Sequence, residues 1–209
     1  MKKTCLPYIK QASDVMKGKD MKKVALIWSS PNKDGLTASA KESMISGLTS
    51  DDIEITEIHL NEKKLEHCRA CANGWGTCNK TGNCVIKDDF SDIYDILIEA
   101  DGIIFVSAVY WSDMTECFKA FFDRLRRCDA TKNHLLADKR CIIVACAGGT
   151  GRGTLECMTQ FERGLTHMGM RVYDRITVVR FNRDYMLEAL HKAGECYADA
   201  LYNGFDMYY

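Results

Sequence analysis

Short apolar runs alternate along this chain with stretches whose apolar residues return every third or fourth position. The two periods predict strands and amphipathic helices in succession. Residues 23–29, 53–59, 102–107, 140–146 and 171–179 are the predicted strands. Leu36, Ala40, Met44 and Leu48 mark the first helix face; Phe90, Ile93, Leu97 and Ala100, opened by the helix-starting pair Asp88-Asp89, mark the second. Met114, Cys117, Phe121 and Leu125 trace a third helix and Leu155, Met158, Phe161, Leu165 and Met168 a fourth, and the last runs from about Arg183 to Asn203. Apolar strands joined by such helices predict an α/β fold, a doubly wound parallel sheet of five strands in the order 2-1-3-4-5 with helices on both faces. Residues 1–21 read as a polar extension and residues 22–209 as one domain, with a cysteine-rich insertion at about 61–87.

Composition narrows the classes. With 209 residues, 46% of them apolar and only 2 prolines, the chain can bury one substantial core. No run of about 18 apolar residues occurs, and the basic start Met1-Lys2-Lys3 has no apolar segment behind it. A cytoplasmic protein without a membrane span is therefore expected. A net charge of -1 gives no electrostatic case for nucleic acid or an anionic membrane. His59, His67, His134, His167 and His191 are scattered, and no catalytic acid–base residue is assigned. The run Arg124-Leu125-Arg126-Arg127 ends the third helix, where positive charge suits the helix dipole.

In a doubly wound sheet ligands bind beyond the carboxyl ends of the strands, where the strand order reverses. Three connecting segments should meet there. Trp28-Ser29-Ser30-Pro31-Asn32-Lys33-Asp34-Gly35-Leu36-Thr37-Ala38 joins the first strand to a helix start, whose unpaired amides and partial positive charge suit a phosphate. Ser30 and Thr37 can add hydroxyl donors, and Gly35 lets the backbone approach. Ser107-Ala108-Val109-Tyr110-Trp111-Ser112-Asp113-Met114 places two aromatics after the third strand, and Ala147-Gly148-Gly149-Thr150-Gly151-Arg152-Gly153 places four glycines after the fourth. A phosphate cradle, an aromatic shelf and an amide-rich wall together describe a site for a flat phosphorylated cofactor. The first loop carries neither G-x-G-x-x-G nor G-x-x-x-x-G-K-[ST], which favours a mononucleotide flavin over a dinucleotide or a nucleoside triphosphate.

These three loops, with Phe118-Lys119-Ala120-Phe121-Phe122-Asp123-Arg124 and Cys84-Val85-Ile86-Lys87-Asp88-Asp89-Phe90, resemble the flavodoxin-like NAD(P)H-dependent FMN reductases, particularly the iron-sulfur flavoprotein branch. The resemblance covers roughly residues 22–180. It implies FMN with its phosphate at Ser30, Asn32, Gly35, Leu36 and Thr37. The ring would lie beside Ala108, Val109, Tyr110, Trp111 and Met114, with Ala147, Gly148, Gly149 and Gly151 along its other edge. Members of the family commonly carry arginine where Asn32 stands, asparagine where Leu36 stands and proline where Ala108 stands. The cradle is thus short of a charge and a side-chain amide, for which Lys33 is the available substitute.

Eleven cysteines, an odd count in a chain expected in a reducing compartment, do not read as a disulfide framework. Cys141 and Cys146 fall on a strand and Cys117, Cys157 and Cys196 on helices, as small hydrophobes. Cys68, Cys71, Cys78 and Cys84, spaced C-x2-C-x6-C-x5-C, are candidate thiolate ligands for a 4Fe-4S cluster or zinc. The similar loop of iron-sulfur flavoproteins is tighter, C-x2-C-x2-C before the last cysteine. A third reading therefore stays open, in which no metal binds and Trp75 and its loop cap the flavin pocket or a dimer contact.

The expected function is passage of hydride from NAD(P)H through FMN to a small acceptor, such as a quinone, a flavin, an azo or a nitro compound, by a homodimer. An electron carrier exchanging electrons with a ferredoxin-type partner is the alternative. A non-catalytic regulatory protein, suggested by Asn32 and Leu36, is the third.

Overall fold

The computed structural model describes residues 20–204, so the 1–21 extension lies almost wholly outside the described residues. The elements follow in the order β1 (Lys22–Ser29), α1 (Leu36–Leu48), β2 (Ile53–His59), a 3-10 turn (Leu60–Glu62), α2 (Thr77–Thr81) and α3 (Phe90–Glu99). Then come β3 (Gly102–Tyr110), β4 (Asp113–Met114), α4 (Glu116–Cys128), a π-turn (Asp129–Asn133), β5 (Arg140–Ala147), α5 (Thr154–His167), β6 (Arg171–Val179) and α6 (Arg183–Asn203). Five parallel strands lie in the order β2-β1-β3-β5-β6, which is the predicted arrangement. Among the described residues no helix is long and apolar enough to cross a membrane.

Alternation along the central strands divides the interior into two cores. Ala25, Ile27, Ile103, Phe105, Cys141 and Ile143 face the layer of α3, α4 and α5. Their neighbours Val24, Leu26, Ile104, Val106, Ile142 and Val144 face α1 and α6. Because both faces are covered, the three central strands β1, β3 and β5 are continuous apolar runs through their middles, as a parallel sheet requires, while the edge strands β2 and β6 carry charged residues.

Three details depart from the pattern. Met114 is not on a helix: it belongs to β4, an antiparallel strand that folds back on β3 and pairs Met114 with Val109. Leu155, placed by periodicity on a buried helix face, lies in the first turn of α5 and is 71% exposed. Cys196 is disulfide-bonded, and Cys117 is only half-buried, so neither is a simple buried hydrophobe.

Two contacts set the helix layer of α1 and α6. A Cβ on Gly47 would stand 1.9 Å from the His191 carbonyl oxygen, and one on Gly194 would stand 2.6 Å from that of Met44. The helices therefore meet backbone to backbone. At the amino ends of the strands, the fully buried Tyr197 hydroxyl accepts from the Ile103 amide at 3.0 Å and donates to the Arg140 carbonyl at 2.7 Å. One side chain of α6 thereby joins the starts of β3 and β5.

Tyr197→Phe leaves that amide buried without an acceptor, at a cost of about 1–3 kcal/mol. In a domain of this size the melting temperature is expected to fall by about 2–12 °C, measured by circular dichroism. Flavin affinity should not change, because Tyr197 acts at the opposite end of the sheet; an unaltered melting temperature would show the hydroxyl to be dispensable.

Candidate functional site

The segments leaving β1, β3 and β5 converge at the carboxyl rim of the sheet. Ser29 Oγ and Thr115 Oγ1 lie 2.5 Å apart, and the Thr115 amide donates to Ser107 Oγ at 3.2 Å, which ties the first segment to the second. The second and third are in contact as well: a Cβ on Gly153 would lie 2.8 Å from the Ser112 Cα. Thr37, in the first turn of α1, is buried, as is Cys146 near the end of β5. Convergence follows from the strand order, since β1 and β3 sit side by side while their crossovers leave on opposite faces.

α1 starts at Gly35 with no side-chain cap and no acidic residue in its first turn. Its leading amides keep the donors and partial positive charge that a phosphate needs. Ser30 Oγ accepts from the Asn32 amide and Asn32 Oδ1 from the Asp34 amide, both at 3.3 Å, so the loop is held by its own side chains. Leu36 instead packs on the core beneath α1, and Thr37 is buried. Lys33 is paired with Glu62, so its ammonium is already engaged and does not stand in freely for the missing arginine.

The aromatic segment is a tight hairpin. Trp111 and Ser112 have φ of 50° and 68° between the pairs Tyr110↔Asp113 and Val109↔Met114, the pattern of a two-residue type I′ turn. Neither residue is glycine, so the pairing holds a backbone strain there. Tyr110 is half-exposed and Trp111 fully exposed, whereas Ala108 and Met114 are buried and Val109 packs against the core. In the third segment Ala147 is buried and Gly151 packs against Val179, but a Cβ on Gly148 or Gly149 would meet nothing within 4 Å. An uncapped helix start, two outward rings and open space above two glycines fit a flat, singly phosphorylated cofactor.

Sequence reasoning leaves His59 among scattered histidines, yet it underlies the first segment. The β1–β2 register sets it beside Trp28, and the rings stack with centroids 3.7 Å apart and planes 5° from parallel. Its Nε2 donates to the Ser30 carbonyl at 2.9 Å, while Nδ1 lies 3.5 Å from Glu62. On the Trp28 side, the indole donates to Glu57 at 2.8 Å, and Lys41 meets the same carboxylate at 2.8 Å. Only the parallel pairing of two strand ends signals this role.

A second site lies under the cysteine-rich insertion. Cys68, Cys71, Cys78 and Cys84 line one cavity together with Cys128, which no sequence motif singles out, and with Arg69, Arg124 and Arg127. Arg124, 1% exposed, forks onto Asp88 at 2.7 and 2.8 Å and donates to the Glu66 carbonyl at 3.0 Å. The Glu66 amide in turn donates to Asp88 at 2.8 Å, closing the neck of the insertion. Burial pushes the Asp88 carboxyl up, but Arg124 and the Glu66 and Phe90 amides outweigh it and hold the group below its ordinary value. It is Asp88 rather than Asp89 that accepts from the Phe90 amide at the head of α3.

The arginine run thus serves this loop as well as the helix dipole. Arg127 lies over the Trp75 ring at 4.6 Å and donates to the Gly74 carbonyl. Thr131 and Asn133 of the π-turn donate to the Cys78 and Gly82 carbonyls at 3.0 and 3.4 Å. His67 is exposed. Burial pushes the Cys128 thiol up to about 12.

Among the described residues, no three ligand-type side chains are gathered closely enough for a single ion. Tetrahedral zinc needs its thiolates about 2.3 Å from one centre, whereas a multi-iron cluster spreads its thiolates round a larger body. Arg124 Nε is buried without an acceptor beside these thiols, a donor that a thiolate or sulfide would satisfy. Thiol donors of this kind suit an iron-sulfur cluster or zinc.

A model of the NADPH-dependent FMN reductase family matches residues 22–182. An iron-sulfur flavoprotein of Archaeoglobus fulgidus is 31% identical over 105 residues, covering 50% of this chain and 46% of that protein. One of Clostridioides difficile is 32% identical over 124 residues, covering 58% and 52%. The chain spans about half the length of these curated relatives. A flavodoxin from the domain Archaea shares the fold, with a TM-score of 0.58 at 17% identity over 86% of this chain and 98% of that one. The family match runs from β1 to the head of α6 and takes in the whole rim and the whole cysteine insertion. The chain therefore belongs to the NADPH-dependent FMN reductase family and has a flavodoxin-like fold.

Proposed function

We propose that the chain is an FMN-dependent oxidoreductase that takes hydride from NAD(P)H and delivers reducing equivalents to a small acceptor, a quinone, flavin, azo or nitro compound. The observation that carries this reading is the meeting of three segments around an uncapped helix start. When bound, FMN supplies the hydride-accepting chemistry, which explains why no protein acid or base is required. The protein's part is placement. Ser30, Asn32, Gly35 and the first amides of α1 would hold the phosphate. Tyr110, Trp111, Gly148 and Gly149 would bound the ring, with Trp111 free to cover the reacting face and exclude water.

A second reading draws on the thiol cavity: with an iron-sulfur cluster at Cys68, Cys71, Cys78 and Cys84, the chain would exchange electrons with a ferredoxin-type protein. Trp111, Leu155, Phe181 and Tyr185 are 102%, 71%, 77% and 64% exposed on segments at the carboxyl end of the sheet, which supports a homodimer formed across that rim.

Anaerobic stopped-flow mixing of FMN-loaded protein with NADPH, and separately with NADH, is expected to bleach the flavin absorbance. No bleaching with either removes the reductase reading, and bleaching only by a reduced ferredoxin-type protein establishes the second. Asn32→Arg restores a charged partner for the phosphate, an interaction of about 1.5–3 kcal/mol, and should tighten FMN binding on the order of tenfold or more in a fluorescence titration. Light scattering coupled to size-exclusion chromatography should give twice the mass of one chain, and Trp111→Glu should lower it toward one; a monomer at every concentration rejects the dimer.

A further inference from the structure

We propose that His59 is a positioning residue whose charge sets FMN affinity: as an imidazolium it holds Glu62 and lets Lys33 turn to the flavin phosphate, and as a neutral ring it leaves Lys33 tied to Glu62. This rests on the reading of the first segment as a phosphate cradle.

Both ring nitrogens of His59 face acceptors. Nε2 lies 2.9 Å from the Ser30 carbonyl oxygen, which can only accept, so this nitrogen carries a proton. In a neutral imidazole Nδ1 is then a bare acceptor, and it lies 3.5 Å from Glu62 Oε1. Acceptor would oppose carboxylate there, whereas a proton on Nδ1 makes the contact an ion pair. Lys33 pairs with the same Oε1. Lys33 first, and His59 after it, hold the Glu62 carboxyl below its ordinary value, so it stays ionised wherever a histidine titrates.

One carboxylate oxygen is thus shared by two cations of unequal freedom. His59 is 7% exposed and stacked on Trp28, so its ring stays in place. The Lys33 side chain is 68% exposed on the loop itself and is free to swing. The other charged groups around the stack are engaged with one another: Glu57 takes the Trp28 indole and Lys41, and Lys41 also meets Glu42. Lys33, Glu62 and a charged His59 together carry one net positive charge, directly beneath a loop in which Asn32 supplies none; with a neutral ring that charge is gone. A phosphate at Ser30 and the first amides of α1 favours the charged form.

Histidine changes charge between about pH 5 and 8, so this contribution to FMN affinity is present on the acidic side and lost as the pH rises. The second ionisation of the phosphate itself, near about pH 6, works in the opposite direction and is common to every variant. The ratio of variant to wild-type Kd therefore isolates the protein's part.

The test is an FMN fluorescence titration of the full chain at about pH 5.5 and about pH 8.5, as wild type, His59→Phe, Lys33→Met and Glu62→Gln. The Kd ratio for Lys33→Met should be about fivefold at the lower pH and near unity at the higher, the effect of one partly solvated charge. His59→Phe keeps the stack but loses the Ser30 contact, so its ratio should exceed unity at both values and be about fivefold larger at the lower. Glu62→Gln frees Lys33 at every pH and should bind FMN more tightly than wild type at the higher. Nuclear magnetic resonance of the wild-type imidazoles needs no variant: one of them should titrate at higher pH with FMN bound than without. Ratios independent of pH, as a purely structural His59 would give, or no imidazole whose titration moves on FMN loading, overturn the proposal. Wild type that binds no FMN at either pH overturns the cradle reading beneath it.

Discussion

The fork between Arg124 and Asp88 is the contact on which the second half of the architecture depends. The segment between β2 and α3 has little regular structure of its own, and its two ends must be brought together before it can enclose anything. Arg124 does this from a third element, binding Asp88 with two nitrogens and the Glu66 carbonyl with one of them. Removing two charges from water is expensive, and such a pair is retained only where geometry and further hydrogen bonds offset the penalty. Here the carboxylate also takes the Glu66 and Phe90 amides, so its oxygens are well supplied. The pair spans 36 residues of sequence and fixes α4 as the floor of the cysteine cavity.

The rim relies on a different device. Instead of a cluster of cations it presents backbone amides at α1, with side chains spent on holding the loop shape. His59 fixes the Ser30 carbonyl, and the stack on Trp28 fixes His59, so the loop is positioned by an edge strand rather than by ligand contacts. Such preorganisation lowers the ordering that binding must impose. The same logic applies to the hairpin, where two non-glycine residues of positive φ hold an exposed indole at the tip.

Most of the fold was legible because it depends on local periodicity. Short apolar runs between stretches of helical spacing located five strands, and the right-handed crossover rule led to their order. Met114 and Leu155 escaped because both sit within a turn of an element boundary, where an apolar residue can face either way. The rim was legible as three unusual loops, each recognisable by its own composition. His59 and Cys128 were not: His59 meets the Ser30 carbonyl, 29 residues away, and Cys128 joins the lining of the cysteine cavity from the end of α4. No local pattern encodes such a meeting.

α4 links the two regions. Its first residues are fastened at the rim, where Thr115 caps the helix and contacts Ser29 and Ser107, while its last turn carries Arg124, Arg127 and Cys128 into the cavity. A helix of 13 residues is about 20 Å long, so the two regions are separate sites on one rigid rod. The middle of the rod is clamped by aromatic packing, with Phe118 and Phe122 edge-on to Phe161 of α5 and Phe121 against Phe90 of α3. A rod held at both ends and in the middle cannot slide by a fraction of an ångström to suit one site alone. The spacing between rim and cavity is therefore a property of the core, and changes in the aromatic packing of α4 bear on both sites together.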